Sequence, residues 1–396
     1  MPGPLAGVRI VDVSEVVSGP MATMLLAEQG AEVVKVEPLH GDGTRRSGSE
    51  RGGMQTLFAN CNRGKRGISL DLSADAGRGV VLELVKGADV FVQNWRPGAA
   101  ERLGLGEEAL RSLKPDLIYA SVSGFGPSGP LRDQRVYDPI IQALTGQVAI
   151  QKNPEVPIPD LVRQVVVDKA SALSLAQAIT AALFARDRGA GGQSIHVPMI
   201  DAGLWFMFPD GAMKHTLLGP GIERPFTLYE TYRIWETADG HVTYYLGTQD
   251  QALLALRAIG RADLLEDPRF QLDTIVWAEL GRILEKALRS MTTEEVVARF
   301  QAEELPVAPV LELDEVFEYE QIVHNGIVGE EDHPVFGRYR FVRPPARFSS
   351  TPATAATAPP LLGEHGDEIL RDLGFDDAAI AKLCEDGVLK VQNSIE

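Results

Sequence analysis

The chain is 396 residues long, 44% hydrophobic and 23% charged, the mixture of a globular protein with two domains, or with one large domain carrying an insertion. Its 38 basic and 55 acidic side chains give a net charge of −17, a field that repels nucleic acid and anionic membranes. Any anionic ligand therefore needs a local basic pocket, for which the N-terminal third offers Arg45, Arg46, Arg63, Lys65, Arg66, Arg96, Arg102, Arg132 and Arg135.

Residues 7–13 (GVRIVDV) read as a β-branched strand, 20–29 as a helix stopped by Gly30, and AEVVKVE as the next strand, which makes a βαβ unit. A second cycle follows with a helix at 76–87 and the strand ADVFVQN at 88–94. A third runs from a helix near 107–113 to the strand DLIYASV at 116–122. This alternation predicts an α/β fold, a parallel sheet covered on both faces with ligands at the carboxyl ends of its strands. The loops to watch are 14–20, 37–51, 94–98 and 123–138.

A helix is expected over 139–148, then a proline-rich interruption, NPEVPIPD. The segment 168–188, rich in Ala and Leu and ended by basic residues before glycines, is the strongest helix, and Asp168 opens it. After the strand QSIHVPM the texture changes, and 199–325 reads as a smaller domain. It holds a hairpin turning at Asp239-Gly240 and helices at 249–258 and 278–300. A loop at 351–360 and a last amphipathic helix at 376–385 close the chain.

Several chemistries lose support here. Residues 124–129 (GFGPSG) match the dinucleotide spacing, but Pro127, Gly129 and Pro130 prevent the helix such a motif must open. There is no G-x-S-x-G, the seven histidines lack ligand spacing, and Cys61 and Cys384 stand apart, so neither a disulfide frame nor a metal site is expected. No apolar run approaches the roughly 18 residues of a spanning helix, and the N-terminus lacks an export signal, so a reducing cytoplasm is expected. Asp168 keeps two readings. As an N-cap it only holds first-turn amides; as a carboxylate kept ionised by the helix dipole, with an ordinary pKa near ~3.9, it is ready to act as a nucleophile.

The order of segments adds more. PLAGVRIVDVSEVVSGPMATMLLAEQGAEVVKVE, NRGKRGISLDL, ADVFVQNWRPGAAERLGL, ASVSGFGPSGPLRDQRVYDPIIQALTG, the Asp168 helix, LLEDPRF and PLLGEHGDEIL resemble, collinearly, the family III CoA-transferases of the CaiB/BaiF group. That group includes formyl-CoA transferase, carnitine CoA-transferase and the 2-methylacyl-CoA racemases. The resemblance implies a Rossmann-like large domain built from both chain ends (1–198 and 326–396), an inserted smaller α+β domain (199–325) and an interlocked homodimer.

It also implies a CoA site at Val16, Val17, Ser18, Lys65, Arg66, Asn94, Trp95, Arg102 and Arg135. Asp168 becomes the nucleophile of an acyl-CoA:carboxylate CoA-transferase, working through a mixed anhydride and an aspartyl-CoA thioester, with amides at the start of its helix as oxyanion donors. Acyl-CoA and a carboxylic acid are then the small-molecule partners, with no tightly bound cofactor and no metal. Val17 stands where formyl-CoA transferases carry glutamine, and 216–228 lacks their glycine-rich insertion, so oxalate and formate are disfavoured. The racemase alternative puts Tyr137 and Asp138 where its acid–base pair sits, though a tyrosine with an ordinary pKa near ~10 accepts protons poorly. The plain readings are Tyr137 packed in the core and Asp138 as a cap before Pro139. A CoA-binding protein without catalysis is the third possibility.

Overall fold

The first strand, β1 (Arg9–Asp12), is a β-branched run that leaves only its first residue exposed. A turn leads into helix α1 (Ser18–Glu28) and then strand β2 (Glu32–Glu37), with Gly30 at a φ of 100° allowing the sharp return between them. The computed structural model describes residues 3–152, 159–223, 227–271, 275–353 and 357–392. Most of the proline-rich interruption, residues 224–226 of the segment read as lacking an insertion, and 354–356 of the late loop lie outside the described residues.

The pattern continues with β3 (Lys65–Leu70), β4 (Val90–Gln93), β5 (Ile118–Ser123), helix α2 (Asp138–Leu144), helix α3 (Val166–Ala185), β6 (Ser194–Pro198) and, from the chain's end, β7 (Leu389–Lys390). One seven-stranded sheet results, in the order β7-β3-β2-β1-β4-β5-β6. Its first six strands by sequence run parallel, and β7 pairs antiparallel with β3 at Leu389 and Leu70. Val11 aligns with Val34 on one side and Phe91 on the other, so apolar residues meet in rows across the strands.

Alternation gives the sheet two apolar faces. One gathers Val11, Val34, Ile68, Phe91 and Tyr119 with Ile369, Ile380 and Leu389 from the C-terminal segment. Residues from the two chain ends thus share one core. The other face carries Ile10, Val33, Val90, Ile118 and Ala120 against α1 and α3. Helix α3, followed to Ala190, is long and apolar enough by length and composition to cross a membrane, contrary to the sequence expectation; its Leu175 and Ile179 are fully buried against this face.

The chain divides into a larger unit, Met1–Thr216 with Ile327–Glu396, and a smaller one, Leu217–Gly326. Helix Met199–Gly211, expected in the inserted domain, packs on α3 and belongs to the larger unit. The larger unit also forms an antiparallel hairpin, Val328–His333 with Gly337–Val342, that the sequence reading did not anticipate. In the smaller unit, strand His241–Tyr244 lies between Trp235–Glu236 and Val307–Pro309 in an antiparallel sheet. Its turn is held where Thr237 N donates to Gly240 O at 2.9 Å and Asp239 Oδ1 accepts from Thr293 N at 2.7 Å. Val242, Phe270, Leu284 and Phe300 fill that unit's core.

Candidate active site

The first loop is built from below by buried charge. Asp12, the last residue of β1, accepts from the Thr23 hydroxyl at 2.7 Å and pairs with Lys65 Nζ at 2.9 Å. Lys65 donates further to Pro20 O at 2.8 Å and Asn62 Oδ1 at 2.7 Å, so all three ammonium protons are used inside the protein. Burial raises the Asp12 carboxyl, but Lys65, Lys35 and the hydroxyls of Ser14 and Thr23 outweigh it and bring it to about 2. Lys65 is lowered to about 8 by burial, against the pull of Asp12. The side chain of Lys65, expected at the CoA site, has no exposed surface and serves the loop's foundation.

Asp168 is 8% exposed and stands third in α3, after Val166 and Val167. It is therefore not the helix cap. Asp138, thirty residues earlier, fills that role: its Oδ2 accepts from Val167 N at 2.7 Å and Asp168 N at 3.0 Å. Gln142 holds Asp138 in turn, donating to Oδ1 and to Gln164 O at 3.1 Å while its own Oε1 accepts from Val162 N at 3.0 Å. Asp138 thus caps a neighbouring helix rather than only preceding Pro139. Two amides expected to face an oxyanion at the start of α3 are already occupied.

The electrostatics of Asp168 differ from those of an exposed helix-terminal carboxylate. Burial first, and the nearby Asp138 second, push its carboxyl up to about 6, opposed by a hydrogen bond from Ser18. Ser18 is the first residue of α1, and α1 packs along α3, so the loop ends against this carboxylate. Among the described residues no hydrogen bond occupies the amides of Val17, Ser18 and Gly19. These free donors stand at and just before the start of α1, the helix that packs along α3.

At the other end of the loop lies a cavity of about 400 Å³ at the carboxyl ends of β1, β2, β3 and β4, lined by Val13, Glu15, His40, Leu72, Trp95 and Leu103 among others. Of the expected CoA contacts, Trp95 lines it directly. Asn94 pins the loop instead, accepting from Glu15 N at 2.8 Å and donating to Glu15 O at 2.6 Å. Val17 is buried, and Val16 has a φ of 70°. Arg66 is bound to Glu368 at 2.9 Å and Asp372 at 2.7 Å. Arg102 ends the short helix Ala99–Arg102 and is exposed, as is Arg135 on the loop before α2. Tyr137 is 70% exposed and does not pack in the core of the chain. Glu15, His40, Lys35 and Asp42 were missed by the sequence reading; the position of 14–20 and 37–51 after strands was the signal that could have found Glu15, His40 and Asp42, while Lys35 lies within strand β2. Among the described residues, no group of three or more His, Cys, Asp or Glu side chains could hold a metal ion.

Residues 5–366 match the family model described as CoA-transferase family III. The chain is 33% identical to a succinyl-CoA:glutarate CoA-transferase of Mus musculus, over 98% of this chain and 90% of that protein. It is 32% identical to a formyl-CoA:oxalate CoA-transferase of Bradyrhizobium sp. (strain ORS 278), over 97% of both. The fold is similar to the crystal structure of a CAIB/BAIF family protein from Brucella suis, with a TM-score of 0.82 and 28% identity, covering 94% of this chain and 100% of that one. A parallel sheet with a cavity at its strand ends, a buried carboxylate at the head of α3 and a match across nearly the whole length converge on one conclusion: the chain belongs to CoA-transferase family III.

Proposed function

We propose that the protein is an acyl-CoA:carboxylate CoA-transferase with Asp168 as nucleophile, and the observation that carries this reading is a buried carboxyl, raised to about 6, on a helix packed along α1, whose leading amides are unoccupied among the described residues. Such a group is about nine-tenths ionised at neutral pH, yet poorly solvated and so reactive. Its oxygen attacks the thioester carbonyl; a C–O bond forms, the C–S bond breaks, and CoA thiolate leaves a mixed anhydride. The thiolate then attacks the aspartyl carbonyl of that anhydride, releasing the donor acid and leaving an aspartyl-CoA thioester. The acceptor carboxylate attacks this thioester, and the expelled thiolate takes the acceptor's acyl group from the second anhydride, freeing Asp168. The amides of Val17 to Gly19 are the donors for the oxyanion in these steps.

The strand order, which reverses between β1 and β4 at the cavity, supports a Rossmann-like CoA-binding domain. We place the nucleotide in that cavity against Trp95, with Arg102 and Arg135 reaching the phosphates and the loop 16–18 along the pantetheine arm. A second copy of the chain is supported by exposed Leu173 and Phe184 on α3 and by Trp205, Phe206 and Phe208 on the helix after β6. An apolar Val17 supports an acyl group larger than formyl. Acyl-CoA and carboxylic acid are the only reactants, and the cytoplasm is the proposed location.

Racemization is the weaker reading, since Tyr137 is exposed and, among the described residues, its side chain has no hydrogen-bond partner that would make it a base. The test is Asp168→Ala, assayed by mass spectrometry with a panel of acyl-CoAs and with succinate, glutarate and oxalate as acceptors. Transfer should vanish while CoA binding stays within about three-fold, because the substitution removes the reacting atom and not the cavity. Substantial turnover by this variant refutes the assignment.

A further inference from the structure

Ser14, Glu15 and Val16 lie on the short bridge from the end of β1 to α1, the helix that packs along the Asp168 helix α3. Each amide of the bridge is held by a side chain from a different segment. Ser14 N donates to Asp12 Oδ1 at 3.0 Å, Glu15 N to Asn94 Oδ1 at 2.8 Å, and Val16 N to the two oxygens of Asp42 at 3.3 and 3.2 Å. Two carbonyls are held as well: Asn94 Nδ2 donates to Glu15 O at 2.6 Å, and Lys35 Nζ donates to Ser14 O. Lys35 closes the ring by pairing with Asp42 at 3.1 Å, neither side chain having any exposed surface.

At the centre of this ring Val16 has a φ of 70°, the left-handed region that a β-branched residue rarely adopts and that glycine enters freely. Nothing local favours that conformation for valine; the surrounding bonds impose it. The bridge is also pressed onto α1, since a Cβ added at Gly19 would lie 2.3 Å from Ser14 Oγ. A buried ion pair is a costly way to hold a turn, and here Asp42 of the pair binds the amide of the strained Val16 while Lys35 binds the carbonyl of Ser14.

We propose that Lys35, Asp42 and Asn94 are positioning residues for acyl transfer: together they clamp Val16 in its left-handed turn, and the turn sets Ser18 and the free amides of Val17 to Gly19 against the Asp168 carboxylate. This rests on Asp168 being the acyl-carrying nucleophile. When the clamp is broken, valine leaves the strained turn, the donors move, and the chemical step slows although the cavity for CoA is intact. A glycine at position 16 adopts the turn without being forced, so it should compensate for a broken clamp.

That compensation is the test. In Asp42→Asn, and in Asn94→Ala should the first variant fold poorly, kcat should fall by about ten-fold or more, as small misplacements of reacting groups do, while KM for acyl-CoA changes by about two-fold or less in Asp42→Asn. Adding Val16→Gly to either variant should recover most of the lost kcat, and Val16→Gly alone should melt no lower than the parent. The rate of aspartyl-CoA formation, read by mass spectrometry of quenched single-turnover samples, should fall and recover in step. A clamp variant with unchanged kcat, or one whose lost kcat glycine fails to restore, overturns the inference. An adduct at Asp168 in the parent together with either of those results sinks the clamp alone. No adduct in the parent sinks the nucleophile reading and the clamp with it.

Discussion

Replacing Asp168 by Asn should make the protein more stable while removing its activity. A carboxyl raised from its ordinary 3.8 to about 6 binds its proton more tightly in the folded than in the unfolded chain. Ionisation therefore works against the fold. The cost is absent below pH 3.8, grows between 3.8 and about 6, and is constant above that window. At about 1.36 kcal/mol for each tenfold change in acidity, the full cost is about 3 kcal/mol. Asparagine has nothing to ionise and escapes it. Urea unfolding of parent and Asp168→Asn at matched protein concentration should show a gain of about 3 kcal/mol at pH 8, shrinking to about half of that at pH 5. A variant no more stable than the parent at pH 8, or a gain independent of pH, refutes the claim that this carboxylate is held out of water at a cost.

Other consequences follow from neighbouring groups. The acid limb of kcat/KM for the parent should fall near pH 6, where Asp168 takes up its proton, and in Asp138→Asn it should move lower by about half a unit or more because a like charge is gone. Stopped assays across pH 4.5–8 check both; an unmoved limb separates the two carboxylates. Lys65→Met leaves Asp12 buried without its principal cation and should cost about 3–5 kcal/mol in unfolding, with KM for CoA nearly unchanged in the folded fraction. A stable Lys65→Met protein with a many-fold higher KM would instead put Lys65 in contact with CoA. Incubation of a 2-methylacyl-CoA in deuterated water should leave the α-proton in place; rapid exchange would restore the racemase.

The sheet was readable because its strands are β-branched runs separated by helices with ordinary stop signals, such as Gly30 after α1. Asp168 was readable as the head of a strong helix, but what holds it was not. Its position at the head of a strong helix suggested a cap, whereas the true cap, Asp138, comes from a different helix and is invisible to local pattern. The same limit misled the search for a basic pocket. Arg45, Arg63 and Lys65 look like phosphate ligands in a strongly acidic chain, but each is buried on a carboxylate, Glu37, Glu28 or Asp12, brought near by the fold. The turn at Val16 left no trace at all, since a left-handed position normally announces itself by glycine and here a ring of side chains supplies the constraint instead.

The central claim is that one oxygen of Asp168 takes an acyl group from sulfur. Incubating the protein with an acyl-CoA and hydroxylamine, digesting it and mapping the peptides should reveal a hydroxamate on Asp168 and on no other carboxylate, together with loss of activity. Full turnover in the presence of hydroxylamine with an unmodified Asp168 would contradict the account.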